Sequence, residues 1–274
     1  MKRKLICSEV DKLTCYFNIE VVSAPSFYKR LSFLRKKPEI EVLRLTRERE
    51  LLYTRILTYK NESARTVGQR IKKAADDAFE MGMDAALSSD ERFTKLLCDL
   101  GIDTQADMAA YIFSHAEKII RFALMQTQFA KEDAAVICDD SGRRISHGLV
   151  DMISAVCRNI CVVSKDEKTA EAFCRDHFER TGIPVISGGG EILKNSALII
   201  SFDGISRLSL KDVPRRALSI DLTGERPPRL SCRAAYGFVP ASECADAGIK
   251  GEDLMKLFAM ENIADFEVER LLFS

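Results

Sequence analysis

The sequence has no excess of positive charge. Its 274 residues include 41 Lys or Arg and 41 Asp or Glu, for a formal net charge of zero. Proteins dedicated to nucleic acid usually carry a clear basic excess, so nucleic-acid binding is not expected of the whole chain. The charge is uneven, however, because residues 1–60 hold 14 basic and 7 acidic residues, a local net charge of +7.

The basic residues are densest between positions 29 and 37. A solvated helix face is the simplest interpretation of such a cluster. The alternatives are a surface for phosphates or an acidic partner, and a nucleic-acid site that the rest of the chain regulates.

Long apolar runs are also missing. No stretch approaches the ~18 consecutive apolar residues of a membrane-spanning helix. The apolar run that follows the basic start, residues 5–7, is too short for the core of a signal peptide. We therefore expect a soluble protein of the cytoplasm that makes no membrane contact.

The sequence lacks any Cys-x-x-Cys motif, and its nine cysteines are odd in number. Free, buried thiols in a reducing cytosol explain them better than a disulfide framework. Cys157 and Cys161 are four residues apart, but no second pair has the spacing of a zinc site. No metal site is predicted.

The length favours two domains, and a hydrophobic content of 46% is ordinary for a globular protein. Apolar spacing predicts a mainly helical domain at 1–131, with short strands near 15–22 and 40–45. Ser63 is predicted to cap one of its helices. The helices are expected at 48–59, 63–87, 91–100 and 105–129.

The second predicted domain, residues 132–274, is a Rossmann-like α/β domain. Short apolar runs at 134–138, 160–163, 183–186, 197–201 and 217–222 alternate with helical segments. This rhythm predicts a parallel sheet of strand order 3-2-1-4-5. Two helices, near 252–260 and 265–272, are expected to finish the chain and to pack on the amino-terminal helices.

Ligands of open parallel sheets bind beyond the carboxyl ends of the strands, where the strand order reverses. Here that crevice would lie between the loops after the first and fourth strands. Gly142 suits a tight turn, backbone N–H groups at the next helix start suit a phosphate, and Gly148 would let that helix approach the first strand. The predicted cofactor-binding residues are Ser141, Gly142, Arg143, Arg144, Lys165 and Asp203.

This part of the sequence resembles the dinucleotide-binding half of shikimate dehydrogenases, glutamyl-tRNA reductases and methylenetetrahydrofolate dehydrogenases. The resemblance covers about a third of the chain and rests on segments 134–138, 141–148, 160–163, 191–201 and 219–221. It implies a Rossmann-like fold and NADP or NAD as cofactor, but no catalytic residue. The Gly-x-Gly-x-x-Gly pattern of these families is incomplete, since Asp139 and Asp140 stand where its first glycine would.

Lys165 follows the second predicted strand, where dinucleotide folds read the adenosine ribose. A cation there suits the 2′-phosphate of NADP, whereas the acid of Asp166 suits NAD. A solvated helix start is the simpler explanation of both residues.

Two hypotheses of function follow from these patterns. The first is an NAD(P)-binding reductase or dehydrogenase, and the alternative is a non-catalytic ligand-sensing or assembly protein that keeps the fold. Asp139 and Asp140 are expected to weaken dinucleotide binding by repulsion, unless they pair with Arg143 or Arg144. The apolar helices at 63–87 and 105–129 predict a homodimer.

Overall fold

A computed structural model describes residues 13–22, 38–59, 62–127, 129, 132–188, 190–205, 213–227 and 232–274. The basic cluster at 29–37 lies outside these residues. The chain forms two compact units: residues 1–106 with 241–263, and residues 107–240 with 264–274. This division differs from the expected boundary at 131/132, because the helices after residue 107 pack within the second unit and a late segment returns to the first.

The first unit contains a four-stranded sheet of order β2-β3-β1-β4. Its strands are β1 (Leu13–Val22), β2 (Glu39–Arg44), β3 (Glu50–Tyr59) and β4 (Met83–Ser88). Strand β1 is parallel to both β3 and β4, and β2 is antiparallel to β3. Helix α1 (Ala64–Phe79) covers the sheet and starts at Ser63, whose side chain accepts a hydrogen bond from the N–H of Thr66, as an N-cap does.

This sheet corrects the prediction of a mainly helical amino-terminal region. Residues 48–59 were expected to be helical, yet Glu50–Tyr59 is a strand that contains two Tyr and two Thr and is paired on both edges. The helix expected at 63–87 ends at Phe79 because Gly82, at φ +95°, turns the chain into β4. The short strands expected near 15–22 and 40–45 are confirmed as β1 and β2.

The remaining predicted helices of this region form with small changes. The segment expected at 91–100 is a 3-10 turn, Glu91–Phe93, that continues into helix α2 (Thr94–Asp99). The helix expected at 105–129 is two helices, α3 (Met108–Ser114) and α4 (Ala116–Gln126), which meet at His115. Both α3 and α4 belong to the second unit.

The second unit is built on a seven-stranded sheet of order β11-β10-β9-β8-β5-β6-β7. All neighbouring strands are parallel except the pair β10 and β11. Counted from β5, the first six strands are therefore ordered 3-2-1-4-5-6. The predicted order 3-2-1-4-5 is confirmed, and it is the order of doubly wound folds that bind dinucleotides. The strands are β5 (Glu132–Cys138), β6 (Cys157–Val163), β7 (Val185–Ser187), β8 (Leu198–Ser201), β9 (Leu218–Asp221), β10 (Arg233–Pro240) and β11 (Val268–Phe273).

Two helices connect the first three of these strands. Helix α5 (His147–Ser154) buries Leu149 and Ile153, and Ile145 just before it is buried as well. Helix α6 (Glu167–Thr181) ends at Gly182, whose φ of +72° forms a left-handed C-cap. The predicted apolar face of the helix after Gly142 is thus observed, although Val156 is only half-buried.

The chain ends with one helix and one strand rather than two helices. Helix α7 (Gly251–Met260), expected at 252–260, belongs to the first unit and packs against β4. The segment expected as a helix at 265–272 is instead β11, because it supplies the hydrogen-bonding partners of β10. None of the described helices combines the length and apolar character that crossing a membrane requires.

Candidate ligand-binding crevice

The loop after β5 folds around a carboxylate of its own. Asp139 follows the strand directly and is completely buried. Its carboxylate accepts hydrogen bonds from the backbone N–H and hydroxyl of Ser141, at 3.1 and 2.9 Å, and from the backbone N–H of Arg144 at 2.7 Å. The N–H groups of Ser141 and Arg144, two of the predicted cofactor-binding residues, are therefore directed at Asp139.

The guanidinium of Arg144 completes this arrangement. Its Nε and Nη2 donate to Oδ1 of Asp139 at 2.9 and 2.6 Å. Burial by itself raises the pKa of Asp139, but the hydrogen bonds from Arg144 and Ser141 outweigh it and lower the pKa. Asp139 is thus held as a carboxylate inside the fold.

Arg144 also joins the two loops that border the predicted crevice. Its Nη1 donates to the carbonyl of Phe202 at 2.9 Å, and its Nη2 forms an ion pair with Asp203, both in the loop after β8. The other oxygen of Asp203 accepts the backbone N–H of Asp140 at 2.6 Å. The structure therefore brings Ser141, Arg144 and Asp203 together at the point where the strand order reverses.

The other predicted residues lie farther out on the same edge. Lys165, after β6, forms an exposed ion pair with Asp140, so part of its charge is already compensated. Arg143 is exposed. Gly142 has a φ of +64°, and a Cβ there would meet the backbone N of Ala170 at 3.3 Å. The predicted need for glycine at this turn thus has a structural cause.

A glutamate from α4 lies at the start of α5. Ser146, the N-cap of α5, donates its hydroxyl to Oε1 of Glu117 at 2.7 Å. A Cβ on Gly148 would lie 2.9 Å from the same oxygen. Gly148 therefore makes room for Glu117, whereas the sequence had predicted a close approach to the first strand. A second carboxylate thus stands beside the helix start that would receive a phosphate.

Beside these groups is a cavity of about 800 Å³. Its lining combines the cations Lys118, Arg121 and Arg144 with Glu117, His115 and two aromatic rings, Phe113 and Phe202, whose centres are 5.8 Å apart. Nδ1 of His115 lies 2.8 Å from the carbonyl oxygen of Tyr111, which can only accept a hydrogen bond, so Nδ1 is the donor. The cavity can hold a molecule with an anionic group and an apolar face.

His147, the first residue of α5, is not among the residues that line this cavity and contacts α6 instead. Its Nδ1 lies 3.0 Å from Nδ1 of His177 on α6, and its Nε2 lies 2.9 Å from a carboxylate oxygen of Asp176. The ring centres are 5.2 Å apart and the planes differ by 10°. The line between the two Nδ1 atoms makes up most of the distance between the ring centres. The rings therefore lie edge to edge, and the two Nδ1 atoms share a hydrogen bond. His147 thus links two helices, a role that the sequence did not indicate.

Sequence reasoning missed Glu117 and the buried role of Asp139. The signal for Asp139 was present, because an acid directly after a buried strand and before Ser and Gly is typical of a carboxylate that organises its own turn. No local pattern indicated Glu117, whose partner Ser146 is 29 residues away. Among the residues that the structure describes, no group of three or more His, Cys, Asp or Glu side chains is placed to hold a metal ion.

No protein-family model and no curated protein sequence matches the chain. Solved structures similar to it include quinate dehydrogenase from Corynebacterium glutamicum in complex with NAD, at 13% identity over 77% of this chain and 79% of that one, with a TM-score of 0.32. For 5-ketofructose reductase of Gluconobacter sp. strain CHM43 the identity is 14% over 92% of this chain and 98% of that one, with a TM-score of 0.35. For Mycobacterium tuberculosis shikimate dehydrogenase they are 12%, 92% of each chain, and 0.33. Shikimate dehydrogenases, which the sequence resembles, are thus among the structures to which the chain is similar, and the fold assignment itself rests on the strand order.

Proposed function

We propose that the second unit binds a nicotinamide dinucleotide, NADP or NAD, and that the protein acts in the cytoplasm as a reductase or dehydrogenase. The observation that supports this most is the reversal of strand order between β5 and β8, with a cavity of about 800 Å³ beside it. Dinucleotide-binding folds of this strand order place their ligand at this point of the sheet.

The carboxylates of Asp139 and Glu117 set the strength of binding in this proposal. A pyrophosphate at the start of α5 gains from the helix dipole and from Arg143, which is exposed. It meets the charge of Glu117 and finds the N–H groups of Ser141 and Arg144 already bonded to Asp139. The dinucleotide therefore binds weakly, with a dissociation constant above 1 µM as an order of magnitude.

Calorimetric titration with NADP(H) and NAD(H), with and without Mg²⁺, tests the proposal. Glu117→Gln keeps an acceptor for Ser146 and removes one charge. Because Glu117 is exposed, that charge costs about 1 kcal/mol near a phosphate, so the variant binds about fivefold more tightly. The control is Glu179→Gln, which removes an exposed carboxylate near the carboxyl end of α6 and leaves the affinity unchanged. If no dinucleotide binds to the wild type or to Glu117→Gln, the proposed function is wrong.

The alternative is a non-catalytic protein that senses a ligand or supports assembly. It is favoured by one observation, the hydrogen bonds that commit the loop's N–H groups to Asp139. Stopped-flow absorbance at 340 nm, the usual signal of reduced nicotinamide, separates the two functions. Oxidation of NADPH or NADH by a panel of small carbonyl compounds supports the reductase. Dinucleotide binding without hydride transfer to any of them supports the sensor.

A further inference from the structure

A second cavity lies at the opposite edge of the same sheet, where the strands begin. Its volume is about 930 Å³, within the range of small-molecule sites. Residues at or next to the starts of β5, β6, β8, β9 and β10 line it, and all belong to the second unit. It is separate from the crevice described above, which lies at the carboxyl ends of the strands.

The charge of this cavity has one sign. Lys194, Arg216 and Arg233 are its charged lining residues, and the rest of the lining that the structure describes is neutral. Asn159 and Asn195 add side-chain amides, which can donate hydrogen bonds to an anion. Among the described lining residues no carboxylate opposes the guanidinium groups of Arg216 and Arg233, which create a positive potential that concentrates anions.

The two arginines line the cavity beside the starts of two neighbouring strands. Arg233 is the first residue of β10 and pairs in register with Leu218, the first residue of β9. Arg216 lies in the turn two residues before Leu218, so the two arginines are placed beside the same stretch of the sheet edge. Cζ of Arg233 also lies 4.0 Å from the ring centre of Phe273 on β11, and this cation–π contact holds the side chain in place before a ligand binds.

We infer that this cavity binds a multiply charged anion of the organic phosphate class, such as a nucleoside polyphosphate. The planar guanidinium groups of Arg216 and Arg233 match the paired oxygens of a phosphate, and the asparagine amides supply further donors. Phe129, which also lines the cavity, offers a ring to the organic part of the ligand. The inference does not depend on the proposed dinucleotide function, because none of the described residues lines both cavities.

Calorimetric titration of the full chain with sodium tripolyphosphate and with ADP tests this inference. The double variant Arg216→Gln/Arg233→Gln is compared with Arg215→Gln, which removes an exposed charge one residue away that does not line the cavity. For each probe, Arg215→Gln has the same affinity as the wild type. The double variant binds each probe at least tenfold more weakly than the wild type does. Near-ultraviolet circular dichroism confirms that each variant is folded, and the single variant Arg216→Gln provides an intermediate loss.

Two further titrations locate the site and identify its chemistry. Arg121→Gln removes a cation of the other cavity and leaves the affinity for tripolyphosphate unchanged. Citrate, a carboxylate of similar charge, binds more weakly than tripolyphosphate if the site selects phosphate. The inference is overturned if neither phosphate probe binds, if Arg215→Gln weakens binding as much as the double variant, or if only Arg121→Gln weakens it. Citrate binding equal to that of tripolyphosphate overturns the assignment to phosphates.

Discussion

Arg144 donates two hydrogen bonds to the same carboxylate oxygen of Asp139, from Nε at 2.9 Å and from Nη2 at 2.6 Å. Asp139 is completely buried, so this pair is part of the interior of the second unit. A lost partner would leave an uncompensated charge there. The loop that would hold a dinucleotide is therefore also a structural element of the fold.

Asp139→Ala should lower the free energy of unfolding by about 2–4 kcal/mol, because the N–H groups of Ser141 and Arg144 lose their buried acceptor while the guanidinium keeps Asp203. Asp140→Asn is the matched control, because the neighbouring carboxylate pairs with the exposed Lys165. Exposed pairs contribute about 0–1 kcal/mol. Urea denaturation followed by circular dichroism measures both changes. Equal losses in the two variants would contradict the assigned role of Asp139.

Ile153→Asp should destabilise the second unit by more than about 4 kcal/mol. The side chain of Ile153 is completely buried on the face of α5 that packs on the sheet, and an aspartate there has no partner. Ala155→Asp places the same charge two residues later at an exposed position and should change stability by less than about 1 kcal/mol. Thermal unfolding compares the two, and a small effect of Ile153→Asp would argue against the observed packing of α5.

The His147–His177 pair should make stability depend on pH. Burial lowers the pKa of His177, opposed by Asp151 and Asp176 and assisted by His147 and Arg180. A histidine whose pKa is lowered on folding takes up its proton first in the unfolded state. Its contribution is therefore complete above the unfolded value of about 6.5 and is lost as the pH falls below it.

The free energy of unfolding of the wild type should therefore decrease between about pH 6.5 and 5, by at most about 1.4 kcal/mol per pH unit for one linked proton. His177→Asn should flatten this dependence relative to the wild type. His115→Gln alters a histidine of the same unit outside the pair and should preserve the dependence. Urea denaturation across this pH range decides between them, and an unchanged slope in His177→Asn would exclude the pair as its source.

The homodimer predicted from the apolar helices stays a prediction. Phe79 on α1 and Met125 on α4 are exposed apolar side chains in the segments concerned. Light scattering at micromolar concentration should give about twice the chain mass of 30.7 kDa. Met125→Lys should shift the measured mass toward that of the monomer if α4 is in the interface. A monomeric wild type would contradict the predicted homodimer.

The sequence predicted the second unit far better than the first. Its central strands β8 and β9 are short apolar runs buried on both faces, and such runs alternating with helices are typical of a parallel sheet. Strand β3 misled because Leu51, Leu52, Ile56 and Leu57 also fit helical spacing, and only its pairing with β1 and β2 decides the structure. Strand β11 depends in the same way on β10.

The crevice was predicted in place but not in detail. Strand ends position Ser141, Arg144 and Asp203 whatever their side chains do, so the strand order located them. Which donors remain available to a ligand depends on side-chain contacts that no local pattern encodes. The pairing of Arg144 with Asp139 and the approach of Glu117 to Ser146 are contacts of this kind.

The return of α7 to the first unit has a consequence for how the protein is made. The hydroxyl of Tyr16 donates to Asp253 at 2.8 Å, a partner 237 residues later in the chain. A ribosome releases β1 through β4 first, yet the helix that packs on β4 emerges only after β10 has been synthesised. Strands β5 to β10, which follow one another along the chain, can therefore pair while the first unit still lacks α7. Contacts that distant in sequence form slowly, so we expect the amino-terminal sheet to reach its native structure after the parallel strands β5 to β10 have paired.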